Sequence, residues 1–201
     1  ALAGRVNLEI HADAVLSPLI YLSAFSQGYS PGSMILDLPS QTETSEVANA
    51  IPDQLEEFHG PVRIRTALAN LYTAAAEHMM NIVGVESIVR IGQSLGLNLT
   101  LASAGPDSDQ DRWKASLMDL TAAYGALAYH GQRVGALQHT EITNVGGEDL
   151  QPEILFEIED NQQRLIYRYD PDISVVLSPQ LAYLLNDILR DEPARWPRYG
   201  T

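Results

Sequence analysis

The chain has 201 residues, 45% of them apolar and 19% charged, a composition that supports one ordinary folded unit rather than a disordered chain. Its 26 acidic residues against 12 basic ones give a net charge of −14, and the basic residues are spread thinly, so no cationic stripe exists to neutralise phosphates and nucleic acid is not expected as a partner. There is no cysteine, which removes disulfides, thiol catalysis and thiolate metal sites; no apolar run reaches the roughly 18 to 20 residues of a membrane span, so any membrane anchor is expected outside this chain.

Leu16, Leu19, Ile20, Leu22, Ala24 and Phe25 go almost all the way round a helical wheel, which predicts a helix buried on most sides. Ser17 and Pro18 read as its N-terminal turn. Gln27-Gly28 ends it, and Ser30-Pro31-Gly32 reads as a turn. The polar stretch over 40–60 is expected to be an extended surface loop. Ile64, Ala67, Leu68, Leu71, Ala75 and Met79 keep helical spacing as far as Gly84, predicting one long helix. A second, over 85–95, is expected to pack against it as a hairpin, with Gly96 at its C-terminal cap.

Residues 103–112, SAGPDSDQDR, form an acidic, turn-rich stretch. Leu117, Leu120, Tyr124, Leu127 and Ala128 then mark a helix ending at His130-Gly131. From 134 the apolar period becomes that of strands, and EILFEIE and RLIYRY, joined through Asp160-Asn161-Gln162, read as a hairpin. Ser178-Pro179 supplies an N-cap and a first-turn proline for a helix over 180–190.

Candidate chemistry is sparse. Ser17, Ser23 and Ser26 lie on or near the first helix, but a serine nucleophile needs a base within hydrogen-bond reach, and the residues three and four after Ser17 are Ile20 and Tyr21. No two of His11, His59, His78, His130 and His139 have the spacing that presents two imidazoles to one metal, so no metal site is expected. His59 and His130 each precede a glycine and read as turn residues; His78 reads as a helix-boundary residue. No carboxylate occupies an apolar context that would raise its pKa. DSDQD at 107–111 lacks the glycine and glutamate of a calcium loop. There is no phosphate-cradling glycine loop, and no cofactor is expected. Lys114 is the only lysine, and no S-x-x-K occurs.

The order of segments resembles the transpeptidase domain of the bifunctional, class A penicillin-binding proteins, in particular the branch with a G-x-V-N segment before the active-site helix. Gly4-Arg5-Val6-Asn7-Leu8, the run HADAVLSPLIYLSAFSQGYSPGSMILDLP, FHGPVRIRTALANLYTAAAEHMMNIVGVESIVRIGQSLGL, MDLTAAYGALAYHGQRV and LSPQLAYLLNDILRDEPARWPRYG resemble that family's blocks in order and spacing, from residue 4 to 200. The resemblance implies an α+β fold of the serine β-lactamase/transpeptidase type. Residues 1–201 would be one partial domain, with 1–131 mainly helical, a β-rich insert over 132–177 and a helix over 178–191, and with much of the central sheet outside the chain.

By that resemblance the catalytic positions are degenerate. The nucleophilic serine of the first motif falls on Ala14 and its lysine on Ser17, with the preceding Pro-Gly on Ala12-Asp13; the serine and asparagine of the second motif fall on Leu71 and Thr73. The third motif would lie past Thr201. Without a hydroxyl at 14 there is no atom to acylate. The expected function is a transpeptidase-like domain of peptidoglycan synthesis, without transpeptidase activity, on the extracytoplasmic face of the bacterial membrane. It would serve as scaffold, partner contact or stem-peptide binding module. The alternative is a serine acyl transferase or hydrolase with a relocated nucleophile. The absent sheet also predicts a large apolar patch around Leu19, Ile20 and Leu22, covered by self-association or by the chain's own hairpin.

Overall fold

The structure, a computed structural model, describes residues 9–11, 13–39, 58–101, 113–137, 150–151 and 155–200. It is built around α1 (Asp13–Ser26). Leu16, Leu19, Ile20, Leu22, Ala24 and Phe25 are all buried, and so are Ser17, Tyr21 and Ser23 between them. A helix apolar on all sides needs cover on all sides, and α1 receives it from α2 (Ile64–Asn70), α3 (Thr73–Val83), α4 (Val85–Ser94) and α6 (Pro179–Leu189).

Two expectations about this helix change. It begins at Asp13, so Ser17 and Pro18 lie inside it rather than in its first turn, and Pro18 forgoes one intrahelical hydrogen bond. Burial on every side offsets that cost. The expected apolar patch at Leu19, Ile20 and Leu22 is absent, because they lie in the core at 2%, 8% and 0% exposure. Exposed apolar side chains occur instead on the hairpin of β8 (Glu157–Glu159) and β9 (Leu165–Arg168), where Phe156 and Ile166 are 70% and 66% exposed.

The small sheets are antiparallel. β2 (Met34–Asp37) pairs with β3 (Gly60–Arg63), setting Asp37 opposite Gly60. β1 (Glu9–His11) and β4 (Thr100–Leu101) flank β5 (Trp113–Ser116). β10 (Asp172–Val175) and β7 (Leu150–Gln151) flank β6 (Gln132–Leu137). Strand β3 stands at the end of a stretch expected to be loop; the expected acidic loop over 103–112 falls outside the described residues. The β8–β9 hairpin matches its sequence signal: the Asp160 carboxylate accepts from the Gln162 and Arg164 amides at 2.8 and 2.9 Å, closing the turn, and those bonds hold its carboxyl below the usual range.

The long helix expected over 64–84 is two helices. Leu71 stands between α2 and α3 with φ 55° and ψ 48°, its amide reaching Leu68 O while the Tyr72 amide reaches Ala67 O. This pair of bonds is the usual left-handed ending of a helix, normally given to glycine because a side chain there costs about 1–2 kcal/mol. Neither glycine nor proline marks the break in sequence. Its partner lies far along the chain, where Arg198 Nη1 donates to the carbonyls of Asn70 and Leu71 at 2.7 and 3.2 Å.

The remaining elements follow their local signals. Ser116 caps α5 (Leu117–Ala128) by accepting from the Met118 amide at 3.2 Å. Ser178 caps α6 from the Leu181 amide, with Pro179 at its first position. The chain then closes with α7 (Glu192–Tyr199), which buries no residue of its own. Arg65 on α2 donates to Asp187 at 2.7 Å and Asp191 at 2.6 Å, tying α2 to α6 and to the N-cap of α7. The guanidinium keeps the Asp187 carboxyl below its ordinary range.

Gly131, between α5 and β6, has φ +85°, and a Cβ there would lie 2.3 Å from the Leu177 carbonyl oxygen. Gly125, on the exposed side of α5, has nothing within 4 Å of an added Cβ. Gly131→Ala is expected to lower unfolding free energy by about 2 kcal/mol or more, from positive φ and overpacking together. Gly125→Ala should raise it by about 0.5–1 kcal/mol. Urea denaturation of both variants checks this; equal effects would contradict it.

Candidate functional site

Two of the four positions at which the resemblance places motif residues meet at one cleft. Leu71 and Thr73, either side of Tyr72, line an opening of about 360 Å³ together with Asp37, Phe58, His59, Pro197 and Arg198. Ser17 does not reach it and is buried in α1. Ala14 lies on the first turn of the same helix.

The register of β2 with β3 builds one wall. With Asp37 opposite Gly60, His59 falls beside the aspartate, and the Asp37 carboxylate accepts from the His59 backbone amide at 3.0 Å and from its Nδ1 at 2.8 Å. Asp37 is 3% exposed, a buried carboxylate that its sequence context does not mark. Its double hydrogen bond supplies the compensation that burying a charge requires. The outer face of the imidazole lies against Tyr72, with ring centroids 4.0 Å apart and planes 11° from parallel. His59 is therefore more than a turn residue: it links β2, β3 and the α2–α3 junction.

Asn70 supports the Pro197–Arg198 side of the cleft without lining it. Fully buried, it donates through Nδ2 to the Thr66 and Ala194 carbonyls at 2.8 and 2.7 Å, and its Oδ1 accepts from the Arg198 amide at 3.0 Å. One side chain thus joins the end of α2 to both the start and the last turn of α7. That positions Pro197 and Arg198 at the cleft.

Two buried hydroxyls of α1 have no partner among the described residues. Tyr21 Oη and Ser23 Oγ are buried and make no hydrogen bond. Burial, and then the charge of Asp37, push the Tyr21 phenol far above its ordinary value. On the far side of α1, Tyr124 Oη donates to the Val15 carbonyl at 2.6 Å and pins the first turns of the helix.

The other candidates are dispersed. Ser23 is buried without a partner, and Ser26 Oγ donates to the Ser23 carbonyl at 2.7 Å. Among the described residues none of Ser17, Ser23 and Ser26 is hydrogen-bonded to a basic side chain. His78 is half-buried on α3 with Nδ1 3.3 Å from the Ala74 carbonyl, and His130 occupies a left-handed turn position at φ 57°. The side chain of His11 and all of His139 fall outside the described residues. No group of three or more potential metal ligands clusters among the described residues, and no helix there is long and apolar enough to cross a membrane.

No family model matches the chain. A curated relative, penicillin-binding protein 1A of Aquifex aeolicus, is 28% identical over 151 residues, which cover 70% of this chain and 19% of that protein. Among solved structures, PBPA from Mycobacterium tuberculosis is similar with a TM-score of 0.65 at 13% identity, covering 90% of this chain and 42% of that one. PonA1 from Mycobacterium tuberculosis gives 0.62 at 12%, over 91% and 47%. Penicillin-binding protein 1A from Haemophilus influenzae gives 0.67 at 16%, over 96% and 31%. The chain has the transpeptidase-like fold of the penicillin-binding proteins. It spans about a fifth of the curated relative and less than half of each of these solved chains.

Within this penicillin-binding-protein fold, motif spacing pointed to Leu71 and Thr73 but not to the groups that shape the cleft around them. Asp37, His59, Asn70 and Arg198 stood in the blocks that carried the resemblance, in DLP, FHG, ALAN and RWPRYG, without a sign that they converge. Tyr21→Phe gives the sharpest test of the local packing. Deleting a buried hydroxyl that makes no hydrogen bond should leave stability unchanged or raise it by up to about 1 kcal/mol. Urea denaturation reads this, and a loss of more than about 1 kcal/mol would show that the hydroxyl is satisfied in solution.

Proposed function

We propose that this chain is a transpeptidase-like module of peptidoglycan synthesis that binds without forming an acyl-enzyme. The observation that carries the reading is the content of the cleft. Leu71, an aliphatic side chain, and Thr73 stand at the positions where the resemblance places a proton-relaying serine and its asparagine. Acyl transfer in such enzymes needs a hydroxyl nucleophile, a base to activate it and a donor to the leaving amine. Ala14 has no nucleophilic atom, and Ser17 is a buried serine where a lysine base is needed. Losing a nucleophile alone removes many powers of ten in rate.

The retained fold then serves recognition. A stem peptide or another protein of the cell-wall machinery is held at the cleft and not chemically changed, on the outer side of the cytoplasmic membrane. The alternative of a relocated serine nucleophile gains no support from the burial of Ser17 and Ser23. Fluorescent penicillin supplies the test. The purified chain is expected to carry no label after denaturing electrophoresis, whereas a denaturation-resistant adduct on any serine would overturn the reading.

A further inference from the structure

The hairpin of β8 and β9 is a ribbon with two unlike faces, both open to solvent. Successive strand residues point to opposite faces, and residues opposite each other share one. Ile158 lies opposite Tyr167, and the Tyr169 amide donates to the Phe156 carbonyl at 2.8 Å, with the two rings edge to face at 6.0 Å. Phe156, Ile158, Tyr167 and Tyr169 therefore make one face apolar and aromatic. Arg168 stands opposite Glu157 and donates to it at 2.9 Å, and Glu159 lies beside Glu157, so the other face is charged. A ribbon of this kind normally packs its apolar face on a core. Here every residue of both strands is exposed, and among the described residues no third strand joins them.

The two edges of the ribbon differ. The register passes from Tyr167 to Leu165 and skips Ile166, a bulge that bends β9 and interrupts the row of backbone groups a further strand would need. β8 is regular, and its charged residues are Glu157 and Glu159. Arg164 and Arg168 are taken by Asp160 and Glu157, which leaves Glu159, Asp170 and Asp172 without an arginine or lysine within ion-pair distance among the described residues. Residues 155–175 hold five carboxylates against two arginines and no lysine. A second copy of a chain with net charge −14 would bring the same carboxylates to the contact, and an anionic membrane surface is repelled for the same reason. The charge on this surface favours a cationic partner.

We propose that the outer edge of β8 takes up an extended segment of another protein as a third strand, one whose residues alternate between apolar and basic. Such a strand lays its apolar side chains beside Phe156 and Ile158 and its basic ones beside Glu157 and Glu159, so both faces of the ribbon continue across the new pair. Backbone hydrogen bonds supply the affinity, and the alternation supplies the selectivity. No residue of the hairpin lines the cleft at Leu71, so this surface is independent of how that cleft is read. A penicillin adduct would overturn the earlier reading and leave this one standing.

The test titrates the chain with a short peptide alternating valine and lysine, following amide chemical shifts, beside one alternating valine and glutamate and one alternating serine and lysine. The valine–lysine peptide should bind at least about tenfold more tightly than either, because the apolar and the charged contacts are both needed, with shifts centred on 155–159. Glu159→Lys should reverse the preference between the lysine and glutamate peptides, and Phe156→Ser should weaken the valine–lysine peptide by a similar factor. Both side chains stand outside the Asp160 bonds that close the turn, and each variant's amide spectrum is compared with wild type. If one variant loses the hairpin, the other and the wild-type comparison of peptides decide. Equal binding of the serine–lysine peptide, which reads charge alone, would overturn the proposal, as would shifts confined to other surfaces. So would self-association of the wild type that Phe156→Ser abolishes, which would put a second copy on this face. Broadening of the 155–168 signals by phosphatidylcholine vesicles, with no response to the peptide, would make the surface a membrane contact and overturn it too.

Discussion

One buried amide holds the cleft together. Asn70 sits at the end of α2, fully excluded from solvent, and spends its side chain on the Thr66 carbonyl of its own helix and on two backbone groups of α7. The helix it captures has no fully buried residue, only Ala194 packed partly buried against the core, so apolar burial does little to hold α7 in place. Hydrogen bonds do, with the Asp191–Arg65 pair supporting its N-terminus. The same junction absorbs the left-handed Leu71, whose cost of about 1–2 kcal/mol persists only because the surroundings fix it. The position where the resemblance places a catalytic serine is therefore shaped from a segment more than a hundred residues away in sequence.

Fold and chemistry separate because they rest on different residues. The apolar shell around α1 and the hydrogen-bonded junctions at Asp37, Asn70 and Arg65 require no nucleophile. Such a scaffold accommodates an aliphatic side chain at the half-buried Leu71 turn. The arrangement also explains why the similarity to penicillin-binding proteins is strong in shape at 12–16% identity. Burial patterns and a few polar clamps carry the architecture, and they tolerate wide substitution elsewhere.

Local signals in the sequence located most helices well. The all-round apolar pattern of 16–25 foretold a buried helix, and Ser178-Pro179 marked the start of α6 to the residue. Three features were not legible, each for a non-local reason. The helix break at Leu71 has no glycine or proline because its cap comes from Arg198. The strand β3 starts at the end of a polar stretch, in GPVR, and its pairing with β2 rather than its own composition makes it a strand. Asp37 carries no local sign of burial, and its hydrogen-bond partner there is His59, 22 residues on. The expected apolar patch on α1 is absent because Leu19, Ile20 and Leu22 join one buried cluster with residues of the neighbouring helices and of β2 and β5. Of the candidate site, spacing indicated Leu71 and Thr73; the side chains that shape the cleft with them emerge only once the chain is folded.

Amide hydrogen exchange on Asn70→Ala tests this account most directly. Removing the side chain leaves the Ala194 carbonyl and the Arg198 amide without their partner, at a cost of about 1–3 kcal/mol. Protection should fall selectively across 192–199 and the Leu71 turn, while α1 and α3 keep theirs. Unchanged protection across 192–199 would contradict the claim that Asn70 holds the cleft together.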